Sequence, residues 1–574
     1  MVRLSYVSLR CVRLVVAGTL LVSCADGDGP LAPPPGATPL LSLESGATDE
    51  APDSGEVIVM PSDGPGQPAG SSGVATPSAQ ATVPRIRIGV VQSATSVTLG
   101  SSADYTISDK ANGLVLLTGT AASGPATVTL VSAPVSVFRL QVMCASTAAV
   151  AARKAAAEAL GHATFTEFFA GGNCTRLYLG EFALSVPASV RTAYRNQVIG
   201  QGLAGTDSFY RQVTIGTNTV YRVTRGSVAV QSVNPVVVTS SMGLVTINGI
   251  TYRDKGEARV NSAAMLAGIN ELPVEQYLYG VVPRELGPIA FPELEAQKAQ
   301  AVAARTFAIA GFGRRGSDGY DLRATTDDQV YGGHAAEHTL SSAAVDATAG
   351  VVATHEGRLI STLYHSTSGG HTADNEEAFT GAPAAYLRGV ADTPGGRVLE
   401  RLRTLELLRA SPTPASLRDF KDSDFEFAWS RFHRWTFDWT MQEMTSVISA
   451  SVGQPVGAVR AINVLQRGPS GRVLEIAYVT EAGTFTSRKD QIRASLKFIN
   501  ASGTPTNLPS TLFFIEPIHA EGTNALVGYR AYGGGFGHGV GMSQTGAVAM
   551  AERGLGHDQI LRYYYRGIAL TPWY

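Results

Sequence analysis

The stretch ELEAQKAQAVAARTFAIA, residues 293–310, constrains the fold more than any other part of the chain. It contains no Gly or Pro and is followed by Gly311, a composition and a stop signal that predict a helix. It is too rich in alanine for an ordinary surface helix, so it is expected to pack centrally. Leu294, Lys298, Val302 and Arg305 share one helical face at spacings of three to four residues. Two cations beside Leu and Val are unusual. A pairing of Lys298 with Glu295 on a solvated edge is one reading, and a functional use of the two cations is the other.

Ahead of this helix, GVVPREL reads as a loop carrying a single carboxylate, Glu285, just after Val281 and Val282. Apolar surroundings disfavour the charged form of a carboxyl and raise its pKa. A general acid working near neutral pH needs that shift.

The chain has 574 residues, enough for two to four domains. Charged residues are 16% and the formal net charge is −2, so no basic stripe points to a nucleic-acid partner. The N-terminus reads as an export signal, with Arg3, Arg10 and Arg13 before the short apolar run LVVAGTLLV. Leu21-Val22-Ser23-Cys24 resembles the lipobox of bacterial lipoproteins. Residues 1–24 are then the signal and Cys24 the lipidation site, with a plain secretory signal cleaved near Ala25 as the alternative. Either way an exported, cell-envelope chain is expected. Residues 25–84, rich in Pro, Gly and Ser, read as a flexible tether. Cys144 and Cys174 are the two cysteines of the mature body, and export favours a disulfide between them over two free thiols.

Residues 85–136 form short strands. Residues 137–215 read as a unit of order β-α-β-β-α-β, the ferredoxin-like arrangement, with helices over 148–160 and 187–201. Its half-repeats, RLQVMCASTAAVAARKAAAEAL and RLYLGEFALSVPASVRTAYRNQV, are similar to SPOR domains, which bind peptidoglycan lacking stem peptides. A purely structural insert is the alternative.

Strands resume in residues 216–250, ahead of the opening stretch. Downstream, TTDDQVYGG is expected to form a loop carrying Tyr331, and residues 351–371 a hairpin turning at 355–357 and ending in HSTSGGH. Residues 395–450 read as helical and carry Trp429, Trp435 and Trp439; core packing is favoured over sugar stacking. AINVLQRGPSGRVLEIAYV is a hairpin. GGGFGHGVGMSQTGA lacks the Lys-Ser/Thr ending of a phosphate loop, so nucleotide binding is rejected. Without a G-x-S-x-G elbow, Ser366 or Ser368 does not read as a hydrolase nucleophile. His365 and His371 could hold a metal with Glu376 or Glu377, although no H-E-x-x-H or C-x-x-C accompanies them.

LPVEQYLYGVVPREL, ELEAQKAQAVAARTFAIA, DQVYGG, AVDATAGVVATHEG, YHSTSGGHTADNEEAF, QRGPSGRV, GHGVGMSQTGAVAMAERG and ILRYYYRG follow one another in that order. Together they resemble the SpoIID/LytB family over residues 216–574. The resemblance implies a lytic transglycosylase. Such an enzyme cuts the β-1,4 bond from N-acetylmuramic acid to N-acetylglucosamine in glycan strands stripped of peptides, leaving a 1,6-anhydro end. The LytB branch is described as an amidase enhancer, which implies an N-acetylmuramoyl-L-alanine amidase as partner. The family's catalytic Glu falls on Glu285, and the basic residues near its cleft fall on Lys298 and Arg305. Candidates to hold substrate are Tyr331, Ser366, Ser368 and His538. No cofactor is required. Some members hold zinc through His and Cys; here the Cys are absent, and His371, Glu376 and Glu377 would have to join His365. The expected fold is α+β, with strand-rich edges and Ala-rich helices at the centre.

Overall fold

The computed structural model describes residues 82–392, 430 and 432–574. The expected signal, Cys24, nearly all of the tether and Trp429 lie outside the described residues.

The first eight strands are β1 (Arg85–Ala94), β2 (Ser96–Gly100), β3 (Tyr105–Asp109), β4 (Val115–Gly119), β5 (Ala126–Ala145), β6 (Thr164–Phe169), β7 (Cys174–Ala183) and β8 (Phe209–Arg225). β3 alternates as a half-buried strand does: Tyr105, Ile107 and Asp109 point inward while Thr106 and Ser108 do not. A seven-stranded sheet is built around strand Leu266–Pro273, which lies antiparallel to β1 on one side and to Lys255–Val260 on the other. This sheet delivers the chain into the site, because Leu266–Pro273 leads without a loop into helix α3 (Val274–Glu285).

β5 and β8 are unusually long and pair along most of their length. Their lower halves place Ala126, Val128, Tyr221 and Val223 in the main core. Their upper halves carry the inserted unit, with α1 (Thr147–Ala159) and α2 (Ala188–Gly200). The chain order there is β5-α1-β6-β7-α2-β8, and the strands lie side by side as β6-β7-β5-β8, all antiparallel. Leu140, Val150, Ala157, Leu177, Leu179 and Val198 form its own small core. A Cys144–Cys174 disulfide joins the end of β5 to the start of β7, as the sequence led us to expect.

α4 (Leu294–Ala310) is the central helix. Every residue from Ala296 to Ile309 except Lys298 is buried. It packs on α3, on α5 (Thr339–Ala347), on helices Gln544–Glu552 and His557–Tyr564, and on strand Val351–His355. Alanine suits it because small side chains let several neighbours approach at core density.

Two local readings change. The stretch GVVPREL is not a loop. α3 continues through Pro283 and ends at Glu285, where the Leu286 N–H still bonds the Val282 carbonyl at 2.9 Å. A proline near a helix end forfeits one backbone bond, and the buried face of α3 outweighs that loss. Nor are the residues after 432 helical throughout. Trp435–Thr440 is a strand, and the helix there is Met441–Val452, opened by a Thr440/Glu443 capping box. Trp435 and Trp439 alternate inward on that strand into a second core with Met444, Ile448 and Phe513. Their indole N–H groups donate to the carbonyls of Gly535 and Lys497, so both are packing residues. The expected hairpins are present, with Glu356 and Gly357 at positive φ in one turn and Gly471 in the other.

Candidate functional site

Glu285 is fixed at both its backbone and its carboxyl. Its carbonyl, left without a helical partner at the end of α3, accepts from the Gln544 side chain at 2.8 Å. Its Oε1 accepts the Val330 N–H at 2.7 Å. Burial pushes the carboxyl up to about 7, against the Val330 bond, a hydrogen bond from Tyr364 and the Arg284 charge, all of which favour ionisation.

A polar row lies behind this carboxyl. The Tyr277 hydroxyl donates to Gln329 at 3.2 Å, and the Gln329 amide donates to the Tyr364 oxygen at 3.0 Å. Since Tyr364 accepts from Gln329, its own proton is directed to Glu285. Burial and the Glu285 charge hold the Tyr364 phenol well above its usual range, so it remains a donor.

The Gly-rich loop at 533–541 reaches the same place. Tyr364–His365 pairs in parallel with Met542–Ser543. A side chain at Gly541, where φ is +74, would collide with the Leu363 carbonyl, so only glycine permits this approach. His538 accepts the Val540 N–H at Nδ1, 3.0 Å away, and bonds the Tyr364 backbone. Burial lowers its pKa to about 4, so it is a neutral imidazole that ties the loop to the Tyr364 strand. Ser543 then caps helix Gln544–Glu552, which supplies the Gln544 contact.

The other residues singled out from sequence fall mostly elsewhere. Lys298 pairs with Glu295 at 2.7 Å, the solvated-edge arrangement. Arg305 is fully buried and grips Glu275 with two bonds, 2.9 and 2.7 Å long, while donating to the carbonyls of Val345 and Val351. With no exposed surface it is an interior brace, not a cleft residue. Tyr331 is buried against Tyr252 and Tyr277, with its hydroxyl on Asn270 at 2.8 Å. Ser368 is buried and donates to Asp392 at 2.8 Å. Ser366 keeps a partly exposed hydroxyl, 3.3 Å from that of Thr367.

The metal expectation does not fit the donors present. Among the described residues no three of His, Cys, Asp and Glu come together in a metal-holding group. Glu376 is engaged by Arg388 and Glu377 by Ser470, while His365 and His371 each turn Nδ1 to a backbone carbonyl. Tyr364, Gln329 and Gln544 were missed as individuals, although each lies inside a motif quoted above.

Comparison with known proteins agrees with this geometry. Residues 262–355 match the family described as "Stage II sporulation protein", and residues 373–541 match a domain of unknown function, DUF8618. The chain is 28% identical over 329 residues to an uncharacterized protein of Brachyspira hyodysenteriae, covering 57% of this chain and 74% of that one. It is 29% identical over 305 residues to the "Amidase enhancer" of Bacillus subtilis, covering 52% of this chain but only 40% of that longer protein. It is 27% identical over 318 residues to the "Stage II sporulation protein D" of Bacillus amyloliquefaciens, covering 53% of this chain and 75% of the relative. Through the segment that builds Glu285, α3 and α4, the chain is thus similar to the SpoIID family, and its relatives point to a role connected with the cell wall.

Proposed function

We propose that this protein is a peptidoglycan lytic transglycosylase acting on peptide-free glycan, with Glu285 as both acid and base. The observation that carries the reading is a buried carboxyl, pushed up to about 7 by desolvation and held by the Val330 N–H and the Tyr364 hydroxyl. Glycoside hydrolysis typically takes two carboxylates. Transglycosylation takes one, because the 6-hydroxyl of the muramic acid ring serves as nucleophile. Protonated Glu285 gives its proton to the bridging oxygen as the glycosidic bond breaks. The resulting carboxylate then removes the proton of the 6-hydroxyl as its oxygen bonds to the anomeric carbon, closing the 1,6-anhydro ring and restoring the acid. The Tyr364 and Val330 donors stabilise the carboxylate between the two steps.

The inserted unit is a SPOR-like, ferredoxin-like glycan-binding module in this reading. The β6-β7-β5-β8 order supports it, as do guanidinium groups over aromatic rings on its strands: Arg139 on Phe165, Arg176 on Phe169 and Arg211 on Phe209. The protein is exported and held to a membrane through Cys24, and it works on glycan prepared by an amidase.

Incubation with amidase-treated glycan tests the activity: 1,6-anhydro products are expected, and Glu285→Gln should yield none. The second reading, a non-catalytic amidase enhancer, is favoured by the similarity to the "Amidase enhancer" of Bacillus subtilis. It predicts no product from this chain alone, and faster cleavage when an amidase is added even with Glu285→Gln.

A further inference from the structure

Residues 373–541 hold a groove of about 300 Å³ that the reaction above does not use, between strands Val459–Arg467 and Phe513–His519. Its charged centre is Arg467, whose guanidinium lies 4.3 Å from the centre of the Phe514 ring. Nη1 donates to the Gly471 carbonyl at 2.9 Å. Among the described residues the Nε and Nη2 edge has no hydrogen-bond partner and Arg467 has no ion pair, and the side chain is only half-buried.

Three arginines elsewhere in this chain show what that edge can hold. Arg253, Arg305 and Arg530 each point Nε and Nη2 at the two oxygens of one carboxylate, on Glu337, Glu275 and Asp438. A guanidinium fork matches a carboxylate in this bidentate way. Partial burial lowers the Arg467 guanidinium to about 10, so it stays charged at neutral pH and gains from an anion.

We infer that Arg467 is the centre of a carboxylate-binding site, and that the carboxylate it takes is the lactyl group of muramic acid in peptide-free glycan. The identification of the ligand rests on the function proposed above. A stem peptide is joined to muramic acid through that carboxyl, so removing the peptide frees an anion on every second sugar. The rest of the groove suits a sugar better than a simple acid. Ile462, Val464 and Ile515 supply apolar walls for the C–H face of a ring, and Asn463 and Glu516 supply partners for hydroxyl and acetamido groups. The hairpin bearing Arg467 is also tied to the catalytic side. Beyond its turn, Arg472 donates to the carbonyls of Ser368 and His371, which follow Tyr364 in the chain. The site therefore supplies a physical reason for a preference for stripped strands: an amide in place of the carboxylate leaves the fork without its partner.

The test uses the full chain carrying Glu285→Gln, so that glycan is bound but not cut. Affinity is measured for amidase-stripped glycan and for the same glycan with its carboxylates converted to methylamides. The acid form is expected to bind about tenfold more tightly. Adding Arg467→Gln should abolish that difference. Arg467→Lys, which keeps the charge and the apolar stem but not the two-pronged edge, should shrink the difference, and it carries the test if Arg467→Gln fails to fold. Equal affinity for the two glycans, a preference that survives both substitutions, or no glycan binding at all overturns the site. The activity is judged separately with the unsubstituted chain. An Arg467-dependent preference without 1,6-anhydro product leaves the site standing and removes the enzyme reading; product without a carboxylate preference does the reverse.

Discussion

Gln544 donates its side-chain amide to the backbone carbonyl of Glu285 at 2.8 Å, across 259 positions of sequence. The bond ties the last turn of α3 to the helix that follows the Gly-rich loop. The geometry at the carboxyl is thereby set from two sides: the Val330 N–H holds the side chain and Gln544 holds the main chain. Gln544→Leu fills similar space without the donor and should cost about 1–2 kcal/mol, since it leaves a partly buried carbonyl unpaired. Glycan cleavage should fall through kcat more than through KM, because Glu285 is displaced while the binding surface is kept. Steady-state kinetics with urea unfolding checks both, and an unchanged kcat would remove Gln544 from the positioning of Glu285.

Stability should respond to pH through Glu285. Its pKa in the folded protein is about 7, above the ordinary 4.5, so the native state binds the proton more tightly than the unfolded chain. The stability it contributes is complete below about pH 4.5 and is lost as pH rises through 7. Glu285→Gln removes this titration. The variant should match the parent near pH 4 and exceed it at pH 8 by on the order of 2 kcal/mol, after allowance for partial solvent access. Urea midpoints at the two pH values decide the matter, and a difference independent of pH would mean that Glu285 is not titrating in this range.

Much of this arrangement was legible from residue patterns, and the failures have a common cause. The unbroken, alanine-rich run at 293–310 announced α4, and Val281-Val282 beside Glu285 announced a desolvated carboxyl. Arg305, Tyr331 and Ser368 looked like cleft residues because they sit in motifs beside the site. Each instead turns inward to a partner that spacing does not reveal: Glu275, Asn270 and Asp392, lying 30, 61 and 24 positions away. Tyr364, Gln329 and Gln544 were passed over for the same reason, since an uncharged side chain becomes part of a site only through the fold. GVVPREL reads as a loop, and that reading fails because the burial of Tyr277, Leu278, Val281 and Val282 that sustains α3 through Pro283 depends on the fold and not on a local signal.

Tyr364→Phe isolates the hydroxyl that stabilises the ionised form of Glu285. Loss of that donor raises the carboxyl above 7, because the Tyr364 bond acts downward on its pKa. The alkaline limb of the cleavage profile reports deprotonation of the acid, and it should move to higher pH while the rate falls. The ring remains in place, so a merely structural role would lower activity without moving the limb. A pH–rate profile of the variant beside the parent separates the two outcomes.

Arg305 is expected to matter for folding and not for substrate. It is fully buried, and its partner Glu275 also accepts from the Gly350 N–H and the Tyr574 hydroxyl. Arg305→Ala leaves that carboxylate without its cation in the interior and should cost about 3–5 kcal/mol. Chemical denaturation measures the loss. The fraction that remains folded should keep the parent KM for glycan, and a raised KM at unchanged stability would restore Arg305 to the cleft.

The inserted unit should depend on its disulfide more than the body does. Its separate core is small, and the Cys144–Cys174 bond closes a 30-residue separation that includes α1 and β6. Replacing both cysteines with serine should destabilise the unit by about 3–4 kcal/mol, the amount expected from the added freedom of an unfolded loop of this length. The loss should be local. β5 and β8 pass into the main core through Ala126, Val128, Tyr221 and Val223, and those positions retain their packing whether or not the upper halves stay ordered. Hydrogen exchange should therefore accelerate at Leu140, Leu177 and Val198 and stay slow at Val128 and Val223. Cleavage of short glycan should persist, because Glu285, Tyr364 and Gln544 all lie outside the unit, while affinity for long strands should fall. Equal acceleration at Leu140 and Val128 would show that insert and body unfold together, and would remove the division of labour between them.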